Sequence, residues 1–305
     1  MVPTDFSPCA ERAQQYARQL ASEESEILLV HVLAFPHDWF YWDVPSIESL
    51  RSDVEKAAQD QLDERAHVLT EAGLRVKTFL KASSHTSHAL IEEIEARSPS
   101  MVVVGTKGWA DGDANAHYQM GSVAEQILRG SGVPVLVVPP GATGLSSHPN
   151  ILVPLEASET GNRGLVAGRD IVSLLNGTLT VLHVLGSGRV GSAYLGGEPV
   201  EAEDDIEPVH RMRNLRSFIE KAIGEQTEMS LELAEGDFAE EVSDYAERNR
   251  IDFIVLSRST KADHIHKAEK LARKLTCPVL VVPSGGDVVE DQNEGRFEPQ
   301  ATELI

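Results

Sequence analysis

MVVVGTKG at residues 101–108, followed by Gly121-Ser122 at the head of the helical stretch SVAEQILR, decides how the chain is read. Three consecutive valines predict a strand buried on both faces, because a half-exposed strand would alternate apolar and polar residues. Gly105 and Gly108, just beyond it, let a backbone approach a ligand closely. Gly121-Ser122 opens a helix whose first N–H groups have no partner within the helix. Such an end carries about half a positive charge and attracts anions, so the three pieces together read as a phosphate cradle.

The same window recurs 152 residues later as FIVLSRST (253–260). At about the same offset MVPTDFSP falls on NILVPLEASE, ILLVHVL (27–33) falls on LTVLHVL (179–185), and His31 falls on His183. Near the ends, GVPVLVVP (132–139) falls on TCPVLVVP (276–283) at an offset of 144, because the second cradle loop is shorter. The chain is therefore a duplication. In the first copy apolar runs predict strands near 1–4, 26–32, 74–80, 101–105 and 134–138. Between them AERAQQYARQLA, SLRSDVEKAAQDQLDERAHVLTEAG and SHALIEEIEAR carry apolar residues at helical spacing. Strands and helices alternating in this way predict an α/β chain of two tandem, doubly wound, five-stranded parallel-sheet domains. Their expected bounds are 1–141 and 150–284, with PPGATGLSSHP (139–149) between them and an acidic, disordered tail at 285–305. Both copies end in PVLVV, an apolar edge that invites pairing, so the halves are expected to dock through these strands as an internal pseudo-dimer.

A length of 305 residues accommodates two such cores. The 27 basic against 48 acidic residues give a net charge of −21, which repels nucleic acid and anionic lipid and argues against either as a partner. Cys9 and Cys277 are too few for a disulfide framework or a thiolate metal site. With no membrane-length apolar run and no leader pattern, the cytoplasm is the expected location.

These residues resemble a tandem universal stress protein over nearly the whole chain except the tail. Pro3-Thr4-Asp5-Phe6-Ser7 is similar to the family's Pro-Thr-Asp-x-Ser opening. Gly105, Gly108 and Gly121-Ser122 are similar to its nucleotide signature Gly-x2-Gly-x9-Gly-(Ser/Thr), with twelve residues (109–120) where nine are usual. The resemblance implies a Rossmann-like strand order of 3-2-1-4-5, with a ligand at the switch point between the first and fourth strands. It further implies an adenine nucleotide held by Pro3, Thr4 and Asp5, the carboxylate accepting from the adenine amino group. Val32 and Val104 would line the base, Gly105 and Gly108 approach the ribose and phosphates, Gly121, Ser122 and Val123 ligate phosphate, and Lys107 add charge. Asp111 and Asp113 would lie near the terminal phosphates and repel them unless Mg²⁺ intervenes, so a triphosphate is expected to bind better with Mg²⁺ than without.

In the second copy Glu156 replaces Asp5, Ser257 and Thr260 replace the first two glycines, and Ile265-His266 stand where Gly-Ser is expected. No nucleotide is expected there. His85 with His88, and His264 with His266, lack further donors for a metal. His31 and His183 read as hydrogen-bonded structural histidines. FPHDWFYWDVP (35–45) holds five of the sixteen aromatics and suits either a partner surface or a lid on its own domain. The resemblance implies a stress-response protein binding ATP, ADP or AMP in the first copy, regulatory in role, with slow hydrolysis or autophosphorylation at Ser122 as the most chemistry expected. The alternative is a scaffold that has lost nucleotide and works through an unidentified protein partner. Homodimerisation through other surfaces is left open by the sequence. An adenine-nucleotide α-hydrolase would need a Ser-Gly-Gly-x-Asp-Ser loop that Pro3-Thr4-Asp5-Phe6-Ser7 does not provide.

Overall fold

A computed structural model of the chain describes residues 1–22, 24–36, 45–108, 120–155, 161–186, 194–195, 198–199, 208–258 and 269–283. The first half runs β1 (Val2–Pro3), α1 (Pro8–Leu20), β2 (Glu26–Ala34), α2 (Pro45–Glu71), β3 (Arg75–Ser83), α3 (Thr86–Arg97), β4 (Val102–Gly105), α4 (Ser122–Gly130) and β5 (Val135–Val138). The second runs β6 (Asn150–Leu155), α5 (Gly161–Leu175) and β7 (Thr178–Gly186), then a small antiparallel hairpin of β8 (Tyr194–Leu195) and β9 (Glu198–Pro199). It continues with α6 (Pro208–Ile223), β10 (Ser230–Gly236), α7 (Phe238–Arg248), β11 (Phe253–Arg258), a helical segment at 269–274 and β12 (Val279–Pro283).

Local chemistry sets the helix starts. Ser7 caps α1 by accepting from the Ala10 N–H at 3.2 Å, and Pro8 takes a first-turn position where no N–H is needed. Asp237 caps α7 by accepting from Ala239 and Glu240, both at 3.1 Å. α2 begins four residues earlier than its apolar spacing predicts, at Pro45, again a position that suits proline. β2 and β3 outrun the predicted strands because they pair along their full length, from Glu26↔Arg75 to Ala34↔Ser83. Lys81 and Ser83 hide the end of β3 from an apolar-run reading.

The second half lies in a seven-stranded sheet of order β10-β7-β6-β11-β12-β5-β4, so its own strands are wound 3-2-1-4-5. In the first half β1, β2 and β3 form a separate three-stranded ladder, because β1 is only two residues long. A hydrogen bond from the Val103 N–H to the Met1 carbonyl, 2.9 Å, ties that ladder to β4. All pairings within each wound sheet are parallel, and the one between the halves is antiparallel: β5 against β12, with Val137↔Val279, Leu136↔Leu280 and Val135↔Val281. These PVLVV strands, the expected docking edge, are thus continuous with both cores.

Alternation along each strand splits the core between the two faces of the sheet. Val30, Val32, Val102, Val104, Val135 and Val137 face α3 and α4, while Leu29, Val103, Leu136 and Val138 face α1 and the α2 side. Each cluster extends into the second half through residues such as Leu152 and Ile254 on one face and Ile151 and Val255 on the other. Complete burial of a valine or leucine contributes about 1.5–3 kcal/mol, so four buried residues in β5 alone are a large term in joining the halves. Among the described residues, no helix is long and apolar enough to cross a membrane.

Candidate functional site

The carboxyl ends of β1, β2 and β4 and the first turns of α3 and α4 enclose a cavity of about 370 Å³. This lies at the switch point, where winding to the β2–β3 side gives way to winding toward β5, and where open α/β sheets leave a crevice. The volume falls within the roughly 300–1,000 Å³ common for small-molecule sites. All eleven residues expected from the sequence line it: Pro3, Thr4 and Asp5 from the first loop, Val32 from β2, Val104, Gly105, Lys107 and Gly108 from β4 and beyond, and Gly121, Ser122 and Val123 from α4. The walls are apolar where Val30, Val32, Val104 and Leu90 meet, and polar groups gather at the strand ends.

The loop after β1 is held by its own side chains. The Asp5 Oδ1 accepts from the Ser7 N–H at 3.0 Å, and the Thr4 Oγ1 accepts from the Phe6 N–H at 3.0 Å and from Gln14 Nε2 at 3.3 Å. Phe6 adopts a left-handed backbone, φ 64°, which costs a non-glycine residue about 1–3 kcal/mol. Its ring sits 4.4 Å from that of His31, with the Arg65 guanidinium 4.9 Å from its centroid on α2. Packing thus compensates for the strain and fixes the turn that presents Asp5.

Two of the glycines are close-packed against protein. A Cβ on Gly105 would lie 2.8 Å from both the carbonyl carbon and oxygen of Cys9 and 2.9 Å from its Sγ. A Cβ on Gly108 would collide with the Asp5 carboxylate. Gly105 therefore lets α1 lie against β4, and Gly108 makes room for Asp5, whatever they offer a ligand. Gly121, at the N-cap of α4, donates its N–H to the Thr106 carbonyl at 2.6 Å, which pins the head of α4 to the end of β4. The next N–H groups, of Ser122 and Val123, are at the anion-attracting end of a nine-residue helix.

His31 also lines the cavity, and its Nδ1 meets the Thr4 carbonyl at 2.7 Å. Burial lowers its pKa, against the opposing pull of that hydrogen bond and of Asp5, so the ring is neutral near pH 7. His183 repeats the contact in the second half, with Nδ1 2.9 Å from the Leu155 carbonyl. Thr86 and Leu90 of α3 and Thr106 of the glycine loop also line it and were not singled out from the sequence. Thr106 lies inside the motif itself. The α3 pair carried no motif, although any helix following a strand on this side begins at the same end of the sheet.

Among the described residues, no group of three or more His, Cys, Asp or Glu side chains is arranged to hold a metal ion. Asp111 and Asp113, Glu156, Thr260, Ile265, His264 and His266, and residues 37–44 of the aromatic segment lie outside the described residues. His85 meets its neighbour Ser84 at 2.9 Å, and His88 is exposed beside Glu92 at 3.7 Å. Cys9 and Cys277 are free thiols; Cys9 Sγ points to the Val138 carbonyl at 3.4 Å, and burial pushes the Cys277 thiol up to about 12.

In the second half the close helix–strand approach survives with its parts exchanged. Ser257 stands where Gly105 stands, and the glycine has moved to the helix: a Cβ on Gly164 of α5 would lie 2.6 Å from the Ser257 Oγ. That hydroxyl instead accepts from the Gly164 N–H at 2.8 Å.

A comparison with curated protein sequences finds no match. Solved structures do match across the chain. A universal stress protein from Archaeoglobus fulgidus aligns over 93% of this chain and 95% of its own, at 19% identity and a TM-score of 0.68. A putative universal stress protein from Pseudomonas aeruginosa aligns over 92% of this chain and 91% of its own, at 18% identity and a TM-score of 0.64. At these identities the likeness establishes the fold. A half-length match, a universal stress protein crystallised in complex with cAMP, covers 45% of this chain at 16% identity with a TM-score of 0.33, too distant for a residue-level comparison. The family model for the Universal stress protein family matches twice, at residues 1–139 and 148–283. Two matches in succession, over nearly the whole chain, make this protein a tandem member of the universal stress protein family.

Proposed function

We propose that the first half binds an adenine nucleotide, in the class of ATP, ADP or AMP, and that occupancy regulates the protein's contacts instead of feeding a reaction. The observation that carries this reading is that one cavity gathers Asp5, the Gly105–Gly108 loop and the first turn of α4 at the switch point. The residues fit the group. The valines at 30, 32 and 104 suit a base, Asp5 is an acceptor for an exocyclic amine, and Lys107 with the Ser122 and Val123 N–H groups suits phosphate. The protein's own part is to hold Asp5 through the Ser7 and Phe6 turn and to hold the head of α4 through Gly121 and Thr106. A magnesium ion at Asp111 and Asp113 belongs to this reading when the nucleotide is a triphosphate.

The units of function on this view are 1–141 as the binding half and 150–284 as its structural partner, followed by an acidic tail at 285–305. The cytoplasm suits two free thiols and a strongly acidic surface.

The test is the nucleotide content of the purified full chain, released by denaturation and identified by chromatography. It is combined with titration of ATP, with and without Mg²⁺, into wild type, Asp5→Asn and Gly121→Val. About one nucleotide per chain, with at least tenfold weaker binding in both variants, is the expected result. Absence of bound nucleotide together with no binding on titration overturns the reading and favours the scaffold. Equal affinity with Mg²⁺ and with EDTA removes the metal from it.

A further inference from the structure

The second half has lost the glycines of the cradle and placed a buried cation there. FIVLSRST aligns residue for residue with MVVVGTKG, so Arg258 stands where Thr106 stands in the first half. It is only 7% exposed. Its guanidinium crosses to the first half: Nη1 donates to the carbonyls of Leu128 and of Arg129, the latter at 3.0 Å, and Nη2 donates to the Ser131 carbonyl at 2.7 Å. These carbonyls close the C-terminal end of α4. The last carbonyls of a helix lack donors within it and carry the negative end of its dipole. A planar, charged fork of donors can satisfy several of them together across a wider, fixed span than the compact ammonium of a lysine covers.

The opposite end of the same helix is Gly121-Ser122 at the cavity. Nine residues at 1.5 Å each make α4 about 13 Å long, so one rigid element of about two and a half turns joins the cavity to Arg258. Its flank is tied to the second half as well. Arg129 pairs bidentately with Glu269, one arm at 3.0 Å, and Arg273 pairs with Glu125 at 2.9 Å. Glu269 and Arg273 are the counterparts of Glu125 and Arg129, 144 residues on, so these contacts are reciprocal about a pseudo-two-fold axis. Arg258 breaks that symmetry. Its counterpart Thr106 bonds within its own half, donating its N–H to Val138 and accepting from Gly121. The asymmetry runs in one direction, from the half without the cradle to the helix that opens the cavity.

We propose that Arg258 is a positioning residue through which the second half seats α4, so that ligand affinity in the first half and interdomain docking at the far end of α4 are linked. The inference rests on the nucleotide reading above. If binding requires α4 to be seated, a bound nucleotide tightens the Arg258 contacts by the same factor by which those contacts raise its affinity. The degenerate half is then a regulator of its partner and the eroded loop is the contact.

The test uses the full chain as wild type, Arg258→Met, Arg258→Lys and Arg273→Ala. Affinity for ATP with Mg²⁺ is measured by titration, and amide hydrogen exchange is followed across 122–131 and 269–283 with and without nucleotide. Arg258→Met is expected to lose about tenfold or more in affinity, inside the usual range for coupled sites, with Arg258→Lys recovering part of the loss. Arg273→Ala, which removes one pair at the rim of the contact and leaves Arg258 in place, is expected to bind within about twofold of wild type, since solvent-accessible pairs contribute little. In wild type, nucleotide is expected to slow exchange at 127–131 and 269–275, and in Arg258→Met that protection is lost. A folded Arg258→Met chain that binds as tightly as wild type overturns the linkage while leaving the nucleotide reading intact. If Arg258→Met does not fold, wild-type exchange decides: protection at 127–131 supports the linkage and its absence overturns it. A wild-type chain that binds no nucleotide overturns both.

Discussion

Replacing Gly105 with alanine puts a methyl group where the structure has no room. The new Cβ would meet the Cys9 carbonyl carbon and oxygen at 2.8 Å and its Sγ at 2.9 Å. The thiol can rotate, but the two backbone atoms belong to the first turn of α1 and can move only with the helix. Lifting α1 from β4 lengthens the contact of Cys9 Sγ with the Val138 carbonyl, now 3.4 Å, and that of Ser7 Oγ with the Lys107 carbonyl, now 3.5 Å. Overpacking of this kind costs about 1–3 kcal/mol. Because rigid backbone is the obstacle, the upper part of that range applies. Replacing a strand glycine returns about 0.5–1 kcal/mol, for a net loss near 2 kcal/mol. The assay is urea unfolding followed by far-UV circular dichroism, with equal slopes confirming that the midpoint shift reports stability. Gly132→Ala is the control: no atom lies within 4 Å of its added Cβ, so it is expected to be neutral or to stabilise by about 0.4–1 kcal/mol. A Gly105→Ala chain within about 0.5 kcal/mol of that control, the ordinary spread for surface changes, refutes the packing argument. Nucleotide binding measured on the same variant separates the two uses of the glycine: lost affinity at unchanged stability assigns it to the ligand alone.

The second half offers the mirror experiment. Gly164→Ala would press on the Ser257 Oγ and is expected to destabilise by about 1–3 kcal/mol, with partial rescue when Ser257→Gly is added; additive losses in the double variant would show that the two residues do not oppose each other. His31 governs a pH dependence. Burial holds its folded pKa below the ordinary 6.5, so between those values the unfolded chain binds more protons and stability rises with pH. Acidification through that window is expected to lower the urea midpoint, and His31→Gln, which keeps a nitrogen for the Thr4 carbonyl, is expected to flatten the slope between about pH 7.5 and 5.5. An unchanged slope in the variant assigns the effect to other groups.

The alternation of MVVVGTKG was enough to place Val102 and Val104 on one face of the sheet and Val103 on the other, because strand side chains have a period of two regardless of context. The 152- and 144-residue offsets likewise revealed the duplication, and the PVLVV edges anticipated the β5–β12 pairing. The end of β3 was harder to read, since this edge strand carries polar residues such as Lys81 and Ser83 that break an apolar run. At the cavity, residue order along the first half located the loops, because a doubly wound sheet brings the ends of its first and fourth strands together. It did not show that the missing Cβ of Gly105 faces Cys9, that Thr86 joins the lining, or that Phe6 takes a left-handed turn under Arg65.

What the sequence by itself determined is what short-range periodicity and repetition encode: the α/β class, the two halves, the buried strands and the family. What only the tertiary structure decided are contacts between residues about a hundred or more positions apart, such as Gly105 against Cys9 and Arg258 against Leu128 and Ser131. Their partners are chosen by how helices settle on a sheet and how two sheets join at one edge. Arginine at 258 reads as the loss of a motif until the fold brings the end of α4 to it.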